Sequence, residues 1–384
     1  MTRVGARSID TAGLHIREYR DLDGLPSRYR DLFEAESRRG LHWDRPWLEA
    51  VIRYGPALDG PLLLLGVEDA DGSPVALNIG FSSERFGEAM RCRTLSLQHS
   101  EVPYRPLVVP GLSPVDVLRM VARYARRSDP PYDALRIRPL DPDGELYRGL
   151  PSVLRAEGWI MQRFYMFPTW HEDVSGRDAA EYLRALHARP NRARTRVERR
   201  ARNLETSGRS RVEICSGGVA LDAAAWDYER VFARSWKEGL IGLPYQRAIM
   251  QVAAQVGALR LALLYVDERP AAAQFWMITG GTAYLHRSAY DETFRDLSPG
   301  TVLTWHTVRH LLDVDHVQAL DLGVGDDAYK ADWASIRRER WGILAFNPRT
   351  WAGLKAAALN IGGSAARRVT PRALQPLIAR LRRD

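Results

Sequence analysis

The run Asp321-Leu322-Gly323-Val324-Gly325-Asp326-Asp327-Ala328-Tyr329-Lys330 places three carboxylates, a phenol and an amine within one short segment. Such a set can accept a proton, donate one and stabilise developing negative charge. An apolar strand from Val317 to Leu322, with Asp321 inside it, runs into Gly323 and Gly325. Glycines at a strand end admit backbone angles and close approaches that a side chain forbids. Asp326 or Asp327 suits the cap of a helix continuing through Trp333. Tyr329 and Lys330 then fall in its first turn, aimed back over the strand end, where an open α/β sheet keeps its ligand. The same residues also suit a plain connection with a solvated Tyr and Lys, so the surrounding architecture has to decide.

That architecture is bounded by composition. A chain of 384 residues, 45% hydrophobic and 27% charged, is globular and long enough for two domains with sizeable cores. Its longest apolar runs, such as Pro61–Val67, are strand-sized, so no membrane span is expected. The N-terminal residues lack the apolar core of a signal peptide. Cys92 and Cys215 are too far apart in sequence for a disulfide framework or a metal spacing, which makes a reducing cytoplasm the default. The net charge is +8, and residues 351–384 carry +6 of it. A nearly neutral body excludes a protein whose whole surface binds nucleic acid.

Read in order, the chain gives one strand (13–20), two helical stretches and then a three-strand meander. The meander covers Leu62–Val67, Pro74–Phe81 and Met90–Leu97, with Asp71-Gly72 marking its first hairpin. Ser113-Pro114-Val115-Asp116 supplies a cap, a first-turn proline and a first-turn acid for a helix to Arg126. A strand (Tyr132–Arg138), a helix (Gly144–Glu157) and a closing strand (Trp159–Phe167) follow. The second half repeats this order. Helical stretches cover 177–206, a strand Arg211–Cys215 and a helix 220–238, before a meander of Ala258–Val266, Ala271–Thr279 and Ala283–Ala289. The helix Thr301–Leu312 puts Val302, Trp305, Val308 and Leu312 on one face. After the Tyr329 segment a last strand lies near Trp341–Phe346. The expectation is an α/β protein of two tandem units, residues 1–168 and 169–350, followed by a short basic helical tail over 351–384.

This order of elements resembles the GNAT acyltransferase fold, present twice. The pairing is similar to the Fem peptidyltransferases and, more closely, to the CelD-like acetyltransferase family of bacterial polysaccharide biosynthesis. The resemblance is carried by the Arg-rich helix near Asn191–Arg202, by Arg234-Ser235-Trp236 and by the Asp321–Lys330 run. It implies a first unit that has lost its chemistry and a second that keeps it. GNAT enzymes hold the acyl-carrier pyrophosphate on a Q/R-x-x-G-x-G/A loop at a helix start. Here the equivalent is Arg295-Asp296-Leu297-Ser298-Pro299-Gly300 followed by Thr301, with serine in place of the first glycine. Free N–H groups at a helix start suit phosphate, although Pro299 removes one of them.

What the resemblance implies is direct transfer of an acyl group from acyl-coenzyme A, a co-substrate and not a tightly bound cofactor, to an amine or hydroxyl. Tyr329 would protonate the departing thiolate, Asp321 would take the nucleophile's proton or orient it, and Lys330 would stabilise negative charge. Backbone N–H groups of Ala271–Thr279 would meet the thioester oxygen. Arg192, Arg196 and Arg199 share a helix face that suits a phosphate-bearing substrate. Trp236, His286 and Arg287 are further substrate contacts, with Glu229 and Lys237 weaker, and His286 equally suits a core position. A small-molecule or lipid-linked sugar acceptor fits, and Fem relatives bring in aminoacyl transfer RNA as an alternative donor. A scaffold without catalysis is the third reading. No metal-ligand cluster is present. The tail's Leu374, Leu377, Ile378 and Leu381, amid Arg372, Arg380, Arg382 and Arg383, suit either packing on the body or weak peripheral contact with anionic membrane.

Overall fold

The computed structural model describes residues 13–37, 40–55, 60–86, 90–98, 102–187, 193–237 and 242–369. They divide into two compact units that are discontinuous in sequence. The first comprises Met1–Leu32, Leu58–Met166 and Arg340–Asp384, and the second comprises Phe33–Ala57 and Phe167–Glu339.

The first unit is a mixed, mostly antiparallel sheet. Its strands run in the order His15–Tyr19, Leu62–Glu68, Pro74–Phe86, Met90–Gln98, Ala134–Leu140 and then the Trp341–Phe346 part of Ile336–Phe346. The expected Asp71-Gly72 hairpin is present: Asp69 accepts the Asp71 and Ser73 N–H groups at 3.0 and 2.8 Å. Its parallel pair runs unbroken from Thr94↔Ala134 to Gln98↔Arg138. The helices Pro114–Arg127 and Glu145–Ala156 cover one face, burying Leu118, Val121, Leu150 and Leu154 on Leu95, Leu97, Leu135 and Ile137. On the other face Ala356 and Ala357 of the helix Trp351–Val369 pack on Leu344 and Phe346. That helix continues through Gly362-Gly363-Ser364.

The second unit's sheet runs Phe167–Asp173, Ala319–Val324, Thr282–Tyr290, Arg269–Thr279, Leu259–Val266, Ser210–Cys215. Period-two alternation splits its central strand between two cores. Ala272 and Trp276 face the helix Pro299–Asp313, together with its Val302, Trp305, Val308 and Leu312. Ala273, Phe275 and Met277 face the helices Leu221–Ala233 and Leu243–Gln255. Trp47 of the helix Arg45–Tyr54 completes that second layer, and the Leu41 N–H donates to Thr279 Oγ1 at 2.9 Å.

Two placements therefore depart from the sequence order. The strand read as closing the first half extends to Asp173, and from Phe167 it belongs to the second unit. The strand read as closing the second half, Trp341–Phe346, instead pairs with Ala134–Leu140 in the first. Single cuts near 168 and 350 do not follow this exchange.

Candidate active site

Thr282–Tyr290 and Ala319–Val324 run parallel for only three residue pairs, Thr282↔Ala319, Ala283↔Leu320 and Tyr284↔Asp321, and then separate. Local features on both sides account for the separation. On one strand Phe275↔Arg287 is followed by Trp276↔Leu285, so His286 is an extra residue, and such a bulge bends its strand. On the other, Gly323 adopts φ +69° and a Cβ there would press into the Leu285 carbonyl oxygen. Only glycine fits that approach. Beyond the bulge, Thr282–Tyr290 keeps its ladder to Arg269–Thr279 and presents its other edge to the opening. Arg269–Thr279 is paired on both sides, which uses the N–H groups that the sequence reading offered to a thioester. The edge that remains for that task belongs to 285–290.

Asp321 is buried at the vertex, its Oδ1 accepting the Gly323 N–H at 2.9 Å. Ladder partners project to the same side of a sheet. Tyr284, Asp321 and His171 therefore form one row, since Tyr284 pairs with Asp321 and Asp321 with His171. The same side carries His42, whose ring meets Tyr284 edge-on at 5.6 Å and Trp47 at 4.9 Å. His286 also lies there, edge-on to Phe275 at 5.2 Å and Tyr245 at 6.2 Å, which gives it an aromatic core environment. Arg287 faces the same way as its ladder partner Phe275 and donates to the His286 carbonyl at 2.8 Å. Among the described residues the buried Nδ1 of His171 has no hydrogen-bond partner. Burial pushes His171 below its ordinary value, Arg338 adds to this, and Asp321 opposes it.

Tyr329 lies on the opposite side, half-buried against the cluster that contains Leu320, Trp305 and Trp333. Burial, and then the Asp327 carboxylate, push its phenol well above the usual tyrosine range, so it holds its proton. Lys330 is not solvated either. Its Nζ donates to the Val324 and Gly323 carbonyls at 2.6 and 3.3 Å and lies 3.8 Å from Asp327. It aims back over the strand end as expected, but it ties the Gly323–Gly325 turn instead of facing outward. The helix it opens is a single turn, Lys330–Trp333, with no side-chain cap. Asp326, one expected cap, pairs with Arg337 at 3.0 Å and accepts the Trp170 indole N–H at 3.1 Å. Asp327 offers its backbone, accepting the Lys330 N–H at 2.9 Å.

Arg234-Ser235-Trp236-Lys237 docks on the open strand. The Lys237 ammonium donates to the Ser288 carbonyl at 2.9 Å, and the Glu292 N–H to the Arg234 carbonyl at 3.2 Å. Burial lowers the Lys237 pKa, Asp327 opposes this and Arg287 adds to it, so the three charges share a neighbourhood. Trp236 is 61% exposed beside the Lys237 ammonium. Glu229 is committed elsewhere, to Arg247 at 2.9 Å.

The expected phosphate loop is wound up. Glu292–Leu297 forms a 3₁₀ helix, and Arg295 points to solvent 4.0 Å from Glu292. Ser298 takes a left-handed conformation and does not cap the helix Pro299–Asp313. Its carbonyl accepts the Thr301 and Val302 N–H groups, both at 3.1 Å, and Pro299 has none, which leaves the Gly300 N–H as the donor at this end. The helix start is braced from below: Trp276 donates to Gln274, Gln274 to Thr304 and Thr304 to the Gly300 carbonyl, at 2.9, 2.7 and 2.8 Å. Arg192 lies outside the described residues, as does the side chain of Arg196 in the helix Ala193–Thr206.

The geometry thus places Asp321 and Arg287 on one side of the sheet and Tyr329 on the other, sets His286 among aromatic rings, turns Lys330 onto the Gly323–Gly325 turn and leaves Arg295 apart. Sequence reasoning passed over His171, Tyr284 and His42. The one signal for His171 was a polar residue alternating with Trp170 and Glu172 at a strand end.

The chain is similar to known proteins in one stretch of sequence and in fold. Residues 191–331 match the family model of the acetyltransferase (GNAT) domain. FemX is similar in structure, with TM-score 0.54 and 14% identity over 86% of this chain and 97% of its own. The C-terminal domain of a protein described as a lysylphosphatidylglycerol synthetase from Agrobacterium fabrum gives 0.50 and 12% over 88% and 95%. A conserved protein of unknown function from Bacteroides thetaiotaomicron gives 0.50 and 11% over 84% and 98%. At these identities the likeness is one of fold. No curated protein matches the chain. The CelD-like family is not among these matches.

Proposed function

We propose that the second unit transfers an acyl group, acetyl in the simplest case, from acyl-coenzyme A to an amine or hydroxyl. The observation that supports this best is the opening itself, with Asp321 on one side of the sheet and Tyr329 on the other. A thioester lying between the parted strands meets a proton acceptor from one face and a proton donor from the other. The acceptor's nitrogen or oxygen bonds to the carbonyl carbon while Asp321 takes its proton. The carbonyl oxygen gains negative charge against the open strand edge. In an extended strand N–H and C=O of one residue point the same way, so the Ser288 N–H points outward beside the carbonyl that Lys237 holds. The carbon–sulfur bond then breaks, and Tyr329 passes its proton to the thiolate. Lys330 acts as a positioning residue, because its donors already serve backbone carbonyls. The donor pyrophosphate is assigned to Ser298, Gly300 and Thr301 at the helix start, with Arg295 at its rim.

A sugar or glycolipid precursor is the acceptor class we favour, with the arginine-rich helix (Arg192, Arg196) and Trp236, His286 and Arg287 as its contacts. No helix among the described residues is long and apolar enough to cross a membrane. Contact with a membrane surface would fall to the tail, whose residues 370–384 lie outside the description. The helix before it exposes Trp351 and Leu359. Pelleting with anionic vesicles, full-length against 1–350, tests that part: equal, negligible pelleting removes it.

The wound-up loop, with one proline and one free N–H, favours a second reading in which the donor is aminoacyl transfer RNA, as in Fem-type transfer. Calorimetric titration with acyl-coenzyme A and with bulk aminoacyl transfer RNA separates the two. Saturable binding of the thioester alone supports the first reading, and of the RNA alone the second. Binding of neither points to a scaffold.

A further inference from the structure

A cavity of about 370 Å³ lies in the second unit between the helices Ala179–His187, Ala193–Thr206 and Pro299–Asp313. Each helix contributes one arginine to its wall: Arg184, Arg202 and Arg309. Leu183 and Trp305 form an apolar floor, and both are otherwise buried. Arg184 and Arg309 bring positive charge to one small space, which suits a bound anion.

Two acids also line the cavity, but both have other partners. Asp313 Oδ1 accepts the Ala179 N–H at 2.9 Å, and Glu205 faces His306 Nε2 at 3.3 Å. Among the described residues Arg184 and Arg309 form no ion pair, although acids stand in the same wall. Guanidinium is planar, permanently charged and matched to phosphate by paired N–H donors. Gly300 and Arg309 are nine residues apart on one helix, about 14 Å along its axis, so the cavity is distinct from the parted strands.

We propose that this cavity is a second binding site, for a small phosphate-bearing molecule whose apolar part lies on Leu183 and Trp305. The inference goes beyond acyl transfer and does not depend on it. The phosphate belongs either to the acyl donor or to a separate ligand such as a phosphorylated acceptor.

The test is calorimetric titration of the full chain, at low salt, with inorganic pyrophosphate and with phenyl phosphate. Saturable binding is expected, tighter per phosphate for the phenyl ester because its ring has a floor to rest on. Arg184→Glu with Arg309→Glu, both at the surface, should raise Kd at least about tenfold, roughly 1.4 kcal/mol. Arg309→Lys should retain part of the affinity, and Glu205→Gln should tighten it. Unchanged affinity in a double variant with an unaltered circular dichroism spectrum overturns the site, as does the lack of saturable binding in the wild type. Adding saturating acyl-coenzyme A identifies the source. Phenyl phosphate binding that persists marks a separate ligand. Its loss, with donor affinity falling equally in the double variant, shows that the cavity takes a phosphate of the donor itself. Since these readouts are binding alone, absence of turnover leaves them intact.

Discussion

Each unit contains one parallel strand pair joined by a helix that starts with Ser-Pro, and the chain finishes the two differently. In the first unit the pair stays in register for five residues, ending where Arg138 donates to Gln98 at 3.0 Å. Ser113 then caps its helix, accepting the Val115 N–H at 3.2 Å. In the second the pair parts after three residues, and Ser298 leaves its helix uncapped. The first unit spends its polar groups on closing the strand pair and the helix start. The second leaves both open, and that is where its carboxylate, phenol and bulge collect. The two units thus differ in local closure and not in the element order, which both share.

The largest effect should come from the open pair. Tyr329→Phe and Asp321→Asn should each lower turnover by at least ~10²-fold, the lower range for a positioned proton-transfer group. Gln98→Ala, at the end of the closed pair, should leave turnover unchanged. Equal losses at Gln98 and Tyr329 would erase the distinction between the units, and near-normal turnover in a folded Tyr329→Phe would return that residue to structure.

Next is the glycine that lies against the Leu285 carbonyl where the strands part. Gly323→Ala must strain a left-handed φ or move the Leu285 carbonyl, at a cost of about 1–3 kcal/mol. Urea denaturation should show that loss together with weaker donor binding. A variant of wild-type stability would mean that the left-handed turn and its close approach to Leu285 do not require glycine.

The two Ser-Pro starts predict smaller and opposite outcomes. Ser113→Ala should cost about 1 kcal/mol of stability and leave KM for the donor alone. Gly300→Val should raise that KM more than it lowers kcat, since it obstructs contacts common to ground and transition states. Should Ser113→Ala shift KM, the assignment of the donor to the second unit fails.

The smallest effect concerns pH. His171 titrates in the folded chain below its unfolded value of 6.5, chiefly through burial and then Arg338, with Asp321, Asp173 and Glu172 opposing. The unfolded chain therefore takes up this proton first as pH falls. Its contribution to stability is complete above 6.5 and declines as pH drops toward the folded value. Melting temperature against pH should slope less over that window in His171→Gln, and an identical slope would show that His171 is not the group responsible.

Much of this was legible in the sequence, for identifiable reasons. Ser113-Pro114 and the Val302–Leu312 stripe encode their helices locally, and both appear as read. Gly323, Tyr329 and Lys330 stood out because their types are costly or reactive where they occur. What escaped was non-local. Nothing in Trp341–Phe346 states which sheet it completes, since a short continuous apolar strand fits either. The bulge at His286 depends on the count of residues in the neighbouring strand, and the left-handed Ser298 on the 3₁₀ turn before it. Lys330 reads as a surface lysine until the Gly323 and Val324 carbonyls are seen to converge on it.

The exchanged strand also bears on how the protein is made. Ala134–Leu140 leaves the ribosome some two hundred residues before Trp341–Phe346, its neighbour in the finished sheet. At usual synthesis rates that interval is roughly 10–40 s. Throughout it Leu135 and Ile137 stand on an edge with one side unpaired, a template for any passing strand. The first unit, although it starts earlier in sequence, closes only after residues 167–339 of the second have been made.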